Sequence, residues 1–150
     1  MKFPRTLVFA TLALAAGSVL AHEMKPDFVI GYRQGVYKMI RWNFAPMVEM
    51  VKGEHPFDAA QFTRRATRLS FLSHQLDEAY PPGSGEGAPT DALPAIWEDN
   101  ADFIAKLKDF QREARALRVV AETGDEARTK EQFVKTAGTC KACHDTYRAE

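Results

Sequence analysis

The sequence predicts an all-α fold, an antiparallel four-helix bundle, from three observations. Apolar residues recur at helical spacing in four long stretches, no stretch alternates in the manner of a strand, and the breaks fall at glycine, proline and aspartate. With 45% hydrophobic and 27% charged residues over 150 positions, the composition is that of one globular domain with no internal repeat. A chain of this size buries roughly two-thirds of the surface it exposes when unfolded, so the bundle is self-sufficient in core.

Residues 1–21 stand apart from the bundle. Lys2 and Arg5 precede an apolar run from Leu7 to Leu20, and Val19-Leu20-Ala21 supplies the residues a signal peptidase reads. The run is shorter than the ~20 residues that cross a bilayer and contains Gly17 and Ser18, which disfavours a retained anchor. The expectation is a removed signal peptide and an exported, periplasmic chain of residues 22–150, with no membrane association after cleavage. Cleavage after Ala21 takes away two bases and no acid, leaving 18 basic against 20 acidic residues. That balance argues against a nucleic-acid partner.

The first helix is expected from Pro26-Asp27, a favourable start, to Val51, just before Lys52-Gly53. Val29, Val36, Tyr37, Ile40, Phe44, Met47 and Val51 form its inner stripe. Pro46 lies inside it and should kink it, because its nitrogen cannot donate to the Trp42 carbonyl. The second helix runs from about Asp58 to Tyr80, with Phe62, Ala66, Leu69, Leu72 and Leu76 inward. Residues 81–89, rich in proline and glycine, must be a loop. A third helix begins near Pro94 and reaches the Thr123-Gly124-Asp125 break, and a fourth runs from about Asp125 to Arg148.

Chemistry enters at Cys140-Lys141-Ala142-Cys143-His144. Two thiols three positions apart on a helix share one edge and can each form a thioether to a vinyl group of one porphyrin, while the adjacent histidine reaches the iron from that side. This is the attachment signature of c-type haem. The alternative, a thiol–disulfide redox pair, usually opens a helix after a strand, whereas this motif lies inside a terminal helix. A zinc site needs four ligands, and His22, His55 and His74 are scattered with no second cysteine pair.

The haem motif on the last helix of a bundle resembles the class II c-type cytochromes, the cytochromes c′ and their low-spin relatives. The resemblance spans the chain after the signal peptide. It rests on Tyr32-Arg33-Gln34, on Lys52-Gly53-Glu54, on the Pro-Gly loop ahead of Pro94-Ala95-Ile96-Trp97, and on Cys140 through Arg148. It implies one haem c held by Cys140 and Cys143, with His144 as the proximal iron ligand. It also implies that Arg33 and Gln34 contact the haem edge or its propionates, Arg33 as a partly exposed pair, and that Glu86 approaches the haem from the loop. Arg148 resembles a basic residue flanking the proximal pocket, although a basic residue near a helix C-terminus is favourable in its own right.

In the low-spin relatives a methionine of the first helix is the sixth ligand and makes an electron carrier; in cytochromes c′ an apolar or aromatic residue leaves the iron five-coordinate. The resemblance aligns Tyr37 with that position. Met39 is about 200° further around the helix, so it should face elsewhere, and its expected role is packing. Tyr37 as a phenolate ligand is the lesser alternative, because a phenol of pKa about 10 gives up its proton reluctantly in an apolar pocket. Its ring should act by bulk, excluding large ligands and anions while admitting small neutral gases.

The function implied is therefore binding of nitric oxide, and of carbon monoxide by the reduced protein, in nitric oxide buffering or detoxification with redox cycling of the haem. The competing class is a low-spin carrier that only transfers electrons. An enzyme such as a peroxidase would need a distal acid–base pair, and the pocket side of the first helix offers Tyr37 and Arg33 but no histidine, which makes that reading poor. An unidentified redox partner and a homodimer through the first two helices are further expectations of the resemblance. Trp42 or Phe71 would serve that dimer if exposed, or pack in the monomer if buried.

Overall fold

A computed structural model describes residues 24–150, so the expected signal peptide and His22 lie outside the described residues. The helices are α1 (Pro26–Lys52), α2 (Ala59–His74), α3 (Ala95–Glu98), α4 (Asn100–Ala121) and α5 (Glu126–Tyr147), with a 3₁₀ turn over Gln75–Glu78. The four long helices form the bundle: α2 packs against α1 and α4, and α4 runs along α5. Among the described residues the only β-type pairing is an isolated antiparallel bridge between Ala92 and Arg148.

The helix ends follow local chemistry. Pro26 occupies the first turn of α1, where its missing N–H has no partner to lose, and Gly53 closes the helix in the left-handed region at φ 76° with its N–H on the Met50 carbonyl. Asp58 and Asp125 cap α2 and α5 by accepting from the Gln61 and Arg128 amides at 2.8 and 3.0 Å.

Two expected helices are broken. The second ends as α-helix at His74 and tightens into the 3₁₀ turn, and the third divides at Asp99 into α3 and α4. Asp99 leaves helical geometry at φ −116°, ψ 56° and turns its carboxylate to the Asp102 amide, which makes it the cap of α4. Capping competes with helix propagation at such a residue, and here the cap prevails.

Pro46, in contrast, does not end α1. The Trp42 carbonyl it leaves without an intrahelical donor accepts from the Arg65 guanidinium of α2 at 3.1 Å. The core beneath is continuous, with Met47, Phe62, Leu69, Leu76 and Leu117 fully buried. Toward the α1–α2 turn it is aromatic: Phe44 stacks on Phe133 with centroids 4.7 Å apart, and Phe62 meets Phe133 edge-on at 5.8 Å.

Candidate haem site

The opposite end of the bundle is hollow. A cavity of about 720 Å³ opens between the middle of α1, the segment 90–92, α4 and the C-terminal half of α5. On α5 the inward face changes character along its length. Phe133 and Thr136 are buried, whereas Cys140 and Cys143 are only half-buried and look onto the cavity with His144. Between Thr136 and Tyr147 no side chain of α5 is buried.

Cys140 and Cys143 are free thiols on one edge of α5, as their i, i+3 spacing requires. Burial, with the neighbouring Cys143 adding to it, pushes the Cys140 thiol up to about 11, and burial raises that of Cys143 as well. A thiol held protonated is a poor redox nucleophile, which weighs against the disulfide-exchange alternative. His144 is moved the other way: burial, then the Arg148 guanidinium, lowers its pKa against the opposing pull of Asp145. Its Nδ1 lies 3.4 Å from Arg148, and the neutral imidazole that results is the form that ligates iron. His55 and His74 sit outside the cavity beside Glu49 and Asp77 at 3.7 and 3.8 Å.

The α1 wall carries Arg33, Gln34, Tyr37, Lys38, Ile40, Arg41 and Phe44. Arg33 is 2% exposed, not partly exposed as expected. One terminal nitrogen donates to the Ala79 carbonyl and Ser84 hydroxyl at 3.1 and 3.4 Å, the other to the Ser84 carbonyl and Thr90 hydroxyl at 3.1 and 3.3 Å. The guanidinium lends its charge to the cavity wall, but its fork is occupied by the loop and is not left open for a two-pronged propionate pair. Gln34 likewise donates to the Pro89 carbonyl at 2.9 Å. These bonds, with the amides of Leu93 and Ala149 on the carbonyls of Tyr147 and Asp91, tie the loop to both α1 and the end of α5.

Glu86 is exposed on the loop and does not line the cavity; the segment that does is Thr90, Asp91 and Ala92. The expectation for Glu86 came from a loop whose register the sequence leaves open, and the Arg33 anchors bring in a stretch four residues later. Met39 faces away from the cavity as its helical angle requires. It is 48% exposed, however, so its expected packing role gives way to a place at the surface. Trp42 and Phe71 are 74% and 67% exposed.

Tyr37 lies on the cavity wall, half-buried, and its hydroxyl meets that of Tyr80 at 2.9 Å. Burial raises its pKa well above the ordinary phenol value, and Tyr80 adds to that. Tyr80, Phe103, Lys106 and Leu107 also line the cavity, and sequence reasoning assigned none of them to a site. Periodicity marks them as inward-facing but does not say which end of the bundle stays open. Lys38, Arg41, Lys106 and Arg148 against Asp91 make the wall cationic. A large apolar group with acidic substituents, attached through two thiols and met by one neutral imidazole, fits this donor set and this charge.

The sequence model of the family described as Cytochrome C' matches residues 28–148. The chain belongs to the cytochrome c′ family. It is 36% identical over 124 residues to cytochrome c′ of Rubrivivax gelatinosus, covering 83% of this chain and 96% of that one. Cytochrome c prime from Shewanella frigidimarina superposes with a TM-score of 0.82 at 41% identity, over 85% of this chain and 99% of that one. Two variants of cytochrome c prime from Alcaligenes xylosoxidans, one with nitric oxide and one with carbon monoxide, match at 36% identity with TM-scores of 0.78 and 0.77. They cover 85% and 84% of this chain and 98% of theirs. Cytochromes c′ carry haem c covalently, so haem c is the cofactor that Cys140 and Cys143 serve.

Proposed function

We propose that this cytochrome c′ is an exported, periplasmic gas-binding haem protein and not an enzyme, and that it takes nitric oxide, and carbon monoxide when reduced. Its service is nitric oxide buffering or detoxification, with redox cycling through a partner yet to be identified. His144 would hold the iron, and the Tyr37 ring would stand over the place that a gas takes. The observation that carries this reading is that, among the described residues, no methionine lines the cavity. Met47 and Met50 are buried in the core and Met39 is at the surface. The nitric oxide and carbon monoxide complexes of the Alcaligenes protein support the same reading by similarity.

Bound haem supplies an iron that changes oxidation state and accepts a diatomic ligand. The chain supplies the rest. His144 stays neutral beneath Arg148, the cationic wall favours the acidic edge of the porphyrin, and the Tyr37 ring must move before a ligand enters. The raised pKa of Tyr37 keeps it a neutral phenol at physiological pH, which disfavours the phenolate-ligand alternative. Exposed Trp42 on α1 and Phe71 on α2 favour the homodimer through those helices over a packing role in the monomer.

A visible absorption spectrum of the ferrous protein with and without carbon monoxide tests the assignment. A high-spin spectrum that carbon monoxide converts supports it, and a low-spin spectrum indifferent to carbon monoxide overturns it in favour of the electron carrier. Tyr37→Ala is expected to bind carbon monoxide about tenfold faster, corresponding to ~1.4 kcal/mol of ring displacement removed. Tyr37→Met should give a low-spin form, whereas Met39→Leu should change nothing.

A further inference from the structure

The sequence gives Tyr37 the work of a bulky cover, for which a phenylalanine would serve equally well. The structure gives its hydroxyl a partner. Tyr80 stands at the start of the 80–94 loop, and its hydroxyl meets that of Tyr37 at 2.9 Å. Tyr80 is itself fixed from several sides. Its ring packs edge-on against Phe103 with centroids 4.7 Å apart, and the Arg33 guanidinium lies over its face at 4.7 Å. Arg33 is buried and anchored by four hydrogen bonds, three to the loop and one to the Ala79 carbonyl just before it, so the post to which Tyr37 is tied does not swing with it.

Resting on the reading of Tyr37 as the cover of the iron, we infer that Tyr80 is a positioning residue that latches Tyr37 closed, so that the gate opens only when the hydroxyl–hydroxyl bond breaks. Among the cavity-lining residues Ile40, Phe103 and Leu107 offer no replacement partner, while Lys38 and Lys106 are polar. A hydroxyl released beside the apolar part of the wall keeps its desolvation cost until it finds water, a polar side chain or the incoming ligand. The latch therefore sets the cost of entry together with the bulk of the ring, and a phenylalanine at position 37 is not equivalent to the tyrosine.

Carbon monoxide association with the intact ferrous holoprotein, measured by stopped flow, tests this in wild type, Tyr80→Phe, Tyr37→Phe, the double variant and Tyr37→Ala. Both phenylalanine substitutions keep the ring and remove only the shared bond. Each is expected to accelerate association about fivefold, the effect of losing one neutral hydrogen bond. The double variant should be no faster than the singles, because the same bond is lost in all three. The ultraviolet resonance Raman Fermi doublet of tyrosine, which senses hydroxyl hydrogen bonding, should shift when carbon monoxide binds to wild type and lose that shift in Tyr80→Phe.

A Tyr80→Phe rate within a factor of two of wild type, beside a fast Tyr37→Ala, would overturn the latch and leave a gate that works by bulk alone. Fully additive accelerations in the double variant would overturn it too. If Tyr37→Ala is itself no faster than wild type, Tyr37 does not cover the iron and the reading beneath the latch fails instead.

Discussion

The two ends of the bundle use aromatic rings in opposite ways. At the end near the α1–α2 turn, Phe44, Phe57, Phe62 and Phe133 lie against one another with centroids 4.7 to 5.8 Å apart and fill the space between the helices. At the other end Tyr37, Tyr80 and Tyr147 stand back from a cavity of about 720 Å³. Each of these tyrosines has a fixed polar partner: Tyr37 and Tyr80 bond to each other, and Tyr147 donates to the Asp102 carboxylate at 2.7 Å. Phe103 and Phe110 line the same cavity without a tether, so the hydroxyls do not by themselves decide where a ring stands. The comparison teaches instead that ring positions set by packing alone at one end are fixed at the other by packing and hydrogen bonding together.

Substitution at the packed end should break this comparison most severely in stability and hardly at all in function. Phe133→Ala removes a ring stacked on Phe44 and meeting Phe62 edge-on, in a position 4% exposed. The loss should be about 3–5 kcal/mol, read as a lower denaturant midpoint of the holoprotein. Carbon monoxide association in the surviving folded protein should stay at the wild-type rate. A large change in that rate would show that the two ends are coupled and not independent.

Arg33 sharpens the comparison from the open end, since it is the charged residue that fastens the loop over the cavity. Arg33→Leu leaves the Ala79 and Ser84 carbonyls without their donor and should cost about 3 kcal/mol. Arg33→Lys should recover little, because one ammonium cannot reproduce the planar fork. The midpoint potential should fall modestly, since removing a positive charge from the cavity wall favours the ferric state. If stability is lost with no change of potential at any pH, Arg33 acts as a loop anchor alone.

How far the sequence carried this result depends on the range over which each signal acts. The four amphipathic stripes, the Asp58 and Asp125 caps and the Cys140-to-His144 spacing are local, and the fold and the haem edge were legible from them. The position of Tyr37 on the cavity side of α1 followed from the family resemblance, and that of Met39 away from it from helical angle relative to Tyr37. Loop contacts were not legible in this way. Whether Glu86 or Thr90 faces the cavity depends on where Arg33 grips a segment some fifty residues away, and no periodicity encodes that. Tyr80 was missed for the same reason: as a helix-end residue it carried no signal until the fold set it against Tyr37.

The smallest effect concerns Pro46, where a local rule names the carbonyl that loses its donor but not the group that replaces it. The proline removes the donor for the Trp42 carbonyl, yet α1 continues because Arg65 of α2 supplies another at 3.1 Å. Arg65→Ala should therefore cost about 1 kcal/mol, the worth of one exposed hydrogen bond and its packing, with no change in carbon monoxide binding. Pro46→Ala restores the intrahelical N–H, so in that background the Trp42 carbonyl no longer depends on Arg65. The cost of Arg65→Ala should then shrink to what remains from its bond to Gln61, in which the guanidinium donates at 3.4 Å. A double-mutant cycle in denaturant measures the difference. Equal costs in the two backgrounds would mean that the helix tolerates the proline without Arg65, and that the carbonyl is satisfied by solvent.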